Sequence, residues 1–188
     1  MTNKMIIFSA PSGSGKTTIV RHLLQRFPAL EFSISATSRA PRGDEKHAKD
    51  YFFLTRDEFA LRVQHDAFAE WEEVYPGLCY GTLKCEMERI WAKGHVILFD
   101  IDVQGGLNLK KMYGGQALSV FVRPPSLEAL RHRLERRATD SPETIQRRLD
   151  KAAYELGFAP QFDVELVNDD LETTKLQAEQ LVVAFLAA

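Results

Sequence analysis

Cysteine is scarce in this sequence, which contains only Cys79 and Cys85. No series of Cys and His residues stands at the spacing of a zinc site, so we interpret these two as free thiols in a reducing compartment. Long apolar runs are missing too. None approaches the length of a membrane-spanning helix, and the opening MTNKMIIFSA has too short an apolar run for a signal peptide. These features predict a cytoplasmic protein.

A charge excess of either sign is also missing. The 188 residues include 24 Lys and Arg against 26 Asp and Glu, a formal net charge of −2. Proteins that bind nucleic acids or membrane surfaces through charge usually have a clear basic excess. We therefore expect neither partner, and any positive site must be local. With 45% hydrophobic residues and no repeats, low-complexity tracts or Gly/Ser-rich linkers, the sequence predicts one globular domain.

Apolar runs alternate with helical patterns, which predicts an α/β chain. The predicted strands are KMIIFS, HVILFDID, ALSVFV and DVELVN, and the predicted helices are KTTIVRHLLQRF, SLEALRHRLERR, SPETIQRRLDKAAYELG and LETTKLQAEQLVVAFLA. Ser126 and Ser141 are expected to cap the second and third helices. Between residues 32 and 82 the pattern changes to short alternating runs around one short helix, with Thr55 and Glu58 as its capping box. That stretch predicts a mostly β insertion.

A glycine-rich loop, APSGSGKTT, follows the first predicted strand and precedes the first predicted helix. In this setting the backbone N–H groups of such a loop point at a phosphate chain. We expect Lys16 to reach the β and γ phosphates of ATP or GTP, and the Thr17 hydroxyl to help hold Mg²⁺. A loop that only caps the helix is the alternative. The predicted ATP-binding residues are Ala10, Pro11, Ser12, Gly13, Ser14, Gly15, Lys16, Thr17 and Thr18.

Two acids, Asp100 and Asp102, end the predicted strand HVILFDID. A buried strand delivers Asp100 to the carboxyl edge of the sheet, where open α/β sheets bind their ligands. We expect Asp100 to orient Mg²⁺, directly or through water, so that the proposed metal ligands are Thr17 and Asp100. Asp102 can instead cap the helix that follows it, and the two roles are compatible.

A phosphate loop alone permits a GTPase, an ATPase or a kinase. The guanine-specificity motif Asn-Lys-x-Asp of GTPases is missing. A small-molecule kinase needs a second anion site and a lid that excludes water. Seven arginines and no lysine lie between residues 123 and 148, which predicts a lid from which Arg137 and Arg148 contact the transferring phosphate. The alternative for any one of these arginines is a solvated helix face paired with acids.

The stretch SATSRAPRG predicts the second anion site. Pro41 excludes a helix there, and a loop lets the Arg39 and Arg42 guanidinium groups converge on one phosphate. The insertion also contains two tyrosines, a carboxylate and a hydroxyl: Tyr51, Tyr80, Glu70 and Thr82. A carboxylate such as Glu70 can accept the N1–H and 2-amino protons of guanine, whereas adenine presents an unprotonated N1. Guanine is therefore favoured.

At this point the sequence resembles the guanylate kinase family, through SATSRAPR, DYFF, EWEEV…YGT, DIDVQG and RRATDSPETIQRRL. The resemblance implies transfer of phosphate from ATP to GMP, giving ADP and GDP, with Mg²⁺ as cofactor. ATP and GMP are the implied partners, dGMP is a second candidate acceptor, and monomer and homo-oligomer both stay open. It also implies a three-layer α/β P-loop core with a parallel sheet (residues 1–31, 83–125 and 158–188), a mostly β GMP-binding insertion (32–82) and a helical lid (126–157).

The resemblance also assigns roles to residues. The guanine contacts would be Ser35, Glu70, Thr82 and Asp102. The contacts to the GMP phosphate would be Arg39, Arg42, Tyr51 and Tyr80, and Asp100 is placed in the GMP site as well. The catalytic residues would be Lys16, Arg42, Arg137 and Arg148.

Three positions depart from the family pattern: Ala10 in the phosphate loop, Asp44 after the second arginine, and Ala138 in the lid. Asp44 leaves the path of residues 43–50 open, and KHAKDY replaces a more usual Asn-Gly turn before Tyr51. Two other functions remain as alternatives. A scaffold domain of the same fold is expected to lack an intact phosphate loop or lid, and a kinase for another phosphorylated acceptor would not need the base-reading Glu70 and Thr82.

Overall fold

The core of the computed structural model, which describes residues 3–136 and 141–188, is a parallel sheet covered by helices. The strands are β1 (Met5–Ser9), β2 (Leu30–Phe32), β3 (Ala36–Thr37), β4 (Phe52–Phe53), β5 (Phe68–Tyr75), β6 (Leu78–Leu83), β7 (Val96–Asp100), β8 (Ala117–Arg123) and β9 (Val164–Val167). The helices are α1 (Lys16–Arg26), α2 (Arg56–Gln64), α3 (Lys84–Ala92), α4 (Val103–Tyr113), α5 (Leu127–Arg136), α6 (Pro142–Leu156) and α7 (Leu171–Ala187). Within the described ranges, no helix is long and apolar enough to cross a membrane.

The core sheet has the strand order β2-β7-β1-β8-β9, and every pairing in it is parallel. Successive apolar side chains of β1 point to opposite faces of this sheet. Ile6 and Phe8 pack with α1 and α7, whereas Met5 and Ile7 pack with α3 and α4. All four are fully buried, and each contributes about 1.5–3 kcal/mol of apolar transfer free energy. The predicted α/β class and parallel three-layer core are confirmed.

The insertion forms a second sheet of order β4-β3-β6-β5, in which β6 runs antiparallel to β3 and β5. The predicted capping box of α2 is present, and Phe59 of that helix stacks on Phe68 with ring centroids 4.5 Å apart. The limits of the insertion differ slightly from residues 32 and 82. Phe32 pairs with the core strand β7, and Leu83 pairs with Phe68. Both ends have apolar side chains that suit either layer, so composition alone did not mark the border.

Helices α5 and α6 form the region predicted as the lid. They pack on each other through the apolar cluster of Leu130, Leu134, Ile145, Leu149 and Ala152. Both predicted caps are present, because the Ser126 and Ser141 hydroxyls accept hydrogen bonds from the Ala129 and Thr144 amides. Residues 137–140 lie outside the described residues, so the assignments of Arg137 and Ala138 stay predictions.

The turn before Tyr51 contains a strained alanine. Ala48 has a φ of 59°, in the left-handed region, where the family pattern has an Asn-Gly turn. Two hydrogen bonds set this conformation: the Ala48 amide donates to the Tyr51 carbonyl at 2.9 Å, and the Asp50 amide donates to the Lys46 carbonyl at 3.0 Å. A non-glycine residue pays about 1–2 kcal/mol for this conformation. The structure thus shows how KHAKDY makes the turn without glycine.

Replacing Ala48 by Gly is expected to stabilise the protein. Relief of the strain exceeds the added chain entropy of glycine in the unfolded state, for a net gain of about 0.5 kcal/mol. Thermal unfolding should show a rise in Tm of about 1–2 °C. The matched control is Ala153→Gly on the exposed face of α6, expected to cost about 1 kcal/mol. A loss of stability in Ala48→Gly as large as in the control would contradict the strain assignment.

Candidate active site

A cavity of roughly 790 Å³ opens at the carboxyl ends of β1 and β7. Its wall is built from four parts of the chain: the phosphate loop, the insertion, residues 100–102 at the end of β7, and one face of α6. The lining residues that the sequence analysis had singled out are Ala10, Pro11, Ser12, Gly13, Ser14, Gly15, Lys16, Thr17, Thr18, Ser35, Arg42, Tyr51, Glu70, Tyr80, Asp100, Asp102 and Arg148. Residues that are far apart in the sequence are therefore neighbours here.

The phosphate loop needs its glycines for two reasons. Gly13 and Gly15 have φ values of 97° and 92°, which side chains rarely adopt. In addition, a Cβ on Gly15 would overlap the side-chain amide nitrogen of Asn168. That buried Asn168 amide donates to the Ser14 carbonyl at 2.7 Å and holds the loop from behind. Ala10, the departure from the Walker pattern, is 92% buried at the start of the loop, where a methyl group fits.

Asp100 lies between the two polar side chains that begin α1. One carboxylate oxygen is 2.7 Å from Lys16 Nζ, and the other accepts a hydrogen bond from Thr17 Oγ1 at 2.8 Å. Lys16 also donates to the Ile101 carbonyl at 2.6 Å. The arrangement follows from the strand pairing, because Phe8 at the end of β1 is in register with Asp100. A carboxylate and a hydroxyl side by side offer the hard oxygen ligands that Mg²⁺ prefers.

A buried carboxylate, Glu70, lies at the insertion side of the cavity. Thr82 Oγ1 donates to Glu70 Oε1 at 2.6 Å, and both residues are buried. The other carboxylate oxygen lies so close to Gly105 that a Cβ there would approach it to 2.7 Å. Burial raises the pKa of Glu70 to about 7, and the nearby negative charges of Asp102 and Glu72 act in the same direction. Glu70 is thus a carboxyl group that titrates near neutral pH.

Asp102 is the N-cap of α4. Its Oδ1 accepts hydrogen bonds from the Gln104 and Gly105 amides at 2.9 and 3.0 Å. This is the capping role that the sequence left open for it. Because Asp102 also lines the cavity, a role toward a ligand remains compatible with the cap.

Two basic side chains of SATSRAPRG have different positions. Arg42 lines the cavity, whereas the Arg39 side chain lies behind the wall and is only 9% exposed. Tyr51 and Tyr80 line the cavity with ring centroids 6.0 Å apart, and both contact Arg39. Burial raises the pKa of the Tyr51 hydroxyl, which therefore keeps its proton and can donate it to an anion. Thr82 also lies behind the wall, and it contacts the cavity only indirectly, through its hydrogen bond to Glu70.

One face of α6 completes the cavity. Arg148 lines it and donates to Ser12 Oγ of the phosphate loop at 3.3 Å. Arg147, another of the seven arginines of the predicted lid, lines the cavity beside it. Three further lining residues of α6 were not predicted from the sequence: Thr144, Lys151 and Glu155. Lys151 Nζ is 3.6 Å from the Glu155 carboxylate, whose pKa is raised by burial. Thr144, Arg148, Lys151 and Glu155 follow one another at spacings of four, three and four residues, which places them on one face of a helix. This periodicity could have indicated them from the sequence.

Comparison with known proteins decides the family. The family model described as Guanylate kinase matches residues 2–184. This chain belongs to the guanylate kinase family. The guanylate kinase of Bacteroides thetaiotaomicron is 56% identical over 186 residues, which are 99% of this chain and 91% of that protein. The guanylate kinase of Porphyromonas gingivalis is 51% identical over 185 residues, 98% of each chain.

The fold agrees with a solved guanylate kinase. The crystal structure of guanylate kinase from Anaplasma phagocytophilum superposes with a TM-score of 0.76 at 31% identity, covering 96% of this chain and 85% of that chain. Guanylate kinases catalyse the ATP-dependent phosphorylation of GMP to GDP, and this chain is an enzyme of that activity. The sequence-based predictions of family and function are confirmed.

The raised pKa of Glu70 gives a pH dependence that can be measured. The family motifs imply that Glu70 contacts guanine, and only the ionised carboxylate can accept two protons from that base. With this contact, base binding should weaken as the pH falls through about 7. Between pH 8 and pH 6 the affinity for guanosine should fall about tenfold, as expected for one group with a pKa of 7. Guanosine is the probe because it has no phosphate that titrates in this range.

Glu70→Gln serves as the control in the same inhibition assay. Its affinity for guanosine should be lower than that of the unmodified protein at pH 8, and should not vary with pH. A pH dependence that persists in Glu70→Gln would assign the titration to another group.

Proposed function

We propose that this one cavity holds both substrates at once. Residues 10–18 bind the ATP phosphates, and GMP lies between the insertion and Asp100, with its base at Glu70 and its phosphate toward Arg42. The continuity of the cavity from the Lys16–Asp100 pair to the Glu70–Thr82 pair carries this proposal. A donor phosphate and an acceptor phosphate can then meet without crossing solvent, as phosphoryl transfer requires.

Each polar group has a role in this arrangement. Lys16 exchanges its contact with Asp100 for the donor phosphates, and the loop amides stabilise the charge that moves during transfer. Thr17 and Asp100 would hold Mg²⁺, and their adjacent oxygens fit that ion. The ion supplies charge neutralisation on the donor phosphates. Arg42, Tyr51 and Tyr80 hold the acceptor phosphate, with Arg39 behind them.

The base is selected by the Glu70–Thr82 pair together with Ser35 and Asp102 on the cavity wall. Adenine has neither an N1–H nor a 2-amino group to donate to the buried Glu70 carboxylate, and a buried group that loses its ligand partner rejects the wrong ligand strongly. The proposed contacts reach the base and the phosphate, and none requires the 2′-hydroxyl of the ribose. We therefore expect dGMP to be accepted as well. A cytoplasmic location is proposed too, supported by the free thiols of Cys79 and Cys85.

A panel of nucleoside monophosphates tests the base assignment. With ATP and Mg²⁺, release of ADP should show a kcat/KM for GMP about 10⁴-fold above that for AMP. Glu70→Gln should reduce this ratio at least about 100-fold, chiefly by weakening GMP. The matched control is Glu73→Gln, an exposed carboxylate on the same strand, which should keep the ratio. An unchanged ratio in Glu70→Gln would remove the guanine contact from Glu70.

The lid arginine is tested with a pair of variants. Arg148→Ala should lower kcat by about 100-fold with a smaller change in KM for GMP, because its contact strengthens as charge moves in the transition state. Arg131→Ala is the control, since Arg131 contacts Gln146 on the exposed surface. Steady-state kinetics should find it within about twofold of the unmodified enzyme. Equal losses in the two variants would mean that general charge, and not position, explains the effect.

A further inference from the structure

Glu45 is a carboxylate that contacts both arginines of the proposed acceptor-phosphate site, and the proposed roles leave it unexplained. Its two oxygens accept hydrogen bonds from the two terminal nitrogens of Arg39, at 2.6 Å from Nη1 and 2.8 Å from Nη2. One of these oxygens also accepts the backbone N–H of Arg42 at 2.8 Å. A single side chain therefore joins both arginines of SATSRAPRG.

The contacts of Arg39 account for nearly all of its donors. Besides Glu45, its Nη1 donates to the Ala40 carbonyl at 3.0 Å and its Nε donates to the Tyr80 hydroxyl at 3.2 Å. The guanidinium also lies over the Tyr51 ring, 4.9 Å from its centroid. A guanidinium has five N–H donors, so within the described residues four are engaged and one remains for a ligand. The Arg39 guanidinium is therefore held mainly by protein groups, with little of it left to bind a ligand.

The same contacts set the direction of the groups that do face the cavity. Because the Tyr80 oxygen accepts from Arg39, its own proton is left to point elsewhere, and Tyr80 lines the cavity. The Arg42 backbone is fixed by the turn in which its amide donates to the Glu45 carboxylate and its carbonyl accepts from the Glu45 amide at 3.1 Å. The Arg42 side chain therefore leaves the turn toward the cavity.

We propose that Glu45 is a positioning residue of the acceptor-phosphate site, which orients Arg39, Tyr80 and Arg42 without touching GMP. This inference rests on the proposed assignment of that site to the GMP phosphate. The hydrogen bonds from Arg39 keep Glu45 charged, since they lower its pKa to about 2. The competing account is that Glu45 only occupies Arg39 in the absence of GMP and is displaced by the phosphate.

The two accounts predict opposite signs. A negative charge next to a phosphate site opposes binding of the phosphate, so removal of a mere competitor should tighten GMP. Removal of a positioning group should weaken GMP despite the more favourable charge. We expect the GMP affinity of Glu45→Gln and Glu45→Ala to fall by about 10-fold to 100-fold, the range for lost charge-assisted hydrogen bonds. Glu45→Asp should be intermediate, because its shorter side chain cannot span all three donors.

The measurement compares GMP with guanosine as ligands of the same variants. Glu45→Gln should weaken GMP while the inhibition constant of guanosine and the KM for ATP stay within about twofold, since only the phosphate contacts are affected. The matched control is Asp44→Asn, which removes the same charge from the neighbouring exposed position. It should leave GMP binding unchanged.

Three outcomes would overturn the proposal: tighter GMP binding, no change, or equal weakening of GMP and guanosine, which would indicate general damage to the insertion. Arg42→Ala separates these results from a failure of the proposed function. If Arg42→Ala leaves the GMP affinity unchanged, the phosphate is not bound at this site, whatever Glu45 does. If Arg42→Ala weakens GMP and Glu45→Gln does not, only the positioning role is wrong.

Discussion

The contact of Asp100 with Lys16 and Thr17 is the point from which the rest of the site is arranged. It exists because β7 lies beside β1 in parallel, so that the strand ends bring an acid next to the phosphate loop. The buried apolar faces of β1 and β7 fix this register, since a slip by one residue would turn Phe8 and Phe99 to the wrong layers. The core packing therefore determines the geometry of the donor site.

Carboxylates accompany the cations around the cavity. Asp100 contacts Lys16, Glu45 contacts Arg39, and Glu155 contacts Lys151. The net charge of the chain is −2 because its cations are balanced by acids. These carboxylate–cation pairs explain how a chain without a basic excess can present cations to two nucleotides. Each pair orients its cation and limits repulsion between neighbouring positive groups. The pairs are proposed to behave differently when the nucleotides bind. Asp100 turns to the metal ion, whereas Glu45 stays on Arg39.

The proposed selection of guanine and the raised pKa of Glu70 have one physical origin, the burial of this carboxylate. Holding Glu70 out of water disfavours its ionised form by about 3 kcal/mol, the free-energy equivalent of the shift in its pKa. In the proposed base contact, a guanine that donates two hydrogen bonds would offset this cost, and a base that cannot donate would leave it in place. The close approach of Gly105 and the Thr82 hydrogen bond keep the carboxylate in a single position. In this proposal, the burial that makes the ionised Glu70 unfavourable in the empty pocket is also what lets the pocket discriminate between bases.

Local sequence patterns determined much of this protein by themselves. The alternation of strands and helices, the caps at Ser126 and Ser141, the Thr55 capping box and the phosphate loop all depend on near neighbours in the chain, and the structure has them as predicted. The family motifs extended this to the activity. Most of the site residues named from the motifs line one cavity. The roles assigned to them remain predictions.

Only the tertiary structure decided which of the similar residues face the ligand. Arg39 and Arg42 are equivalent in the sequence, but the Glu45 carboxylate holds one behind the wall while the other faces the cavity. The titration of Glu70 near neutral pH depends on burial beneath α4, and Lys151 joined the site through the orientation of α6. These properties arise from side chains that are distant in the sequence and meet at the cavity. A local sequence pattern does not contain the burial or the charged neighbours of these side chains, because both depend on residues that only the folded chain brings together.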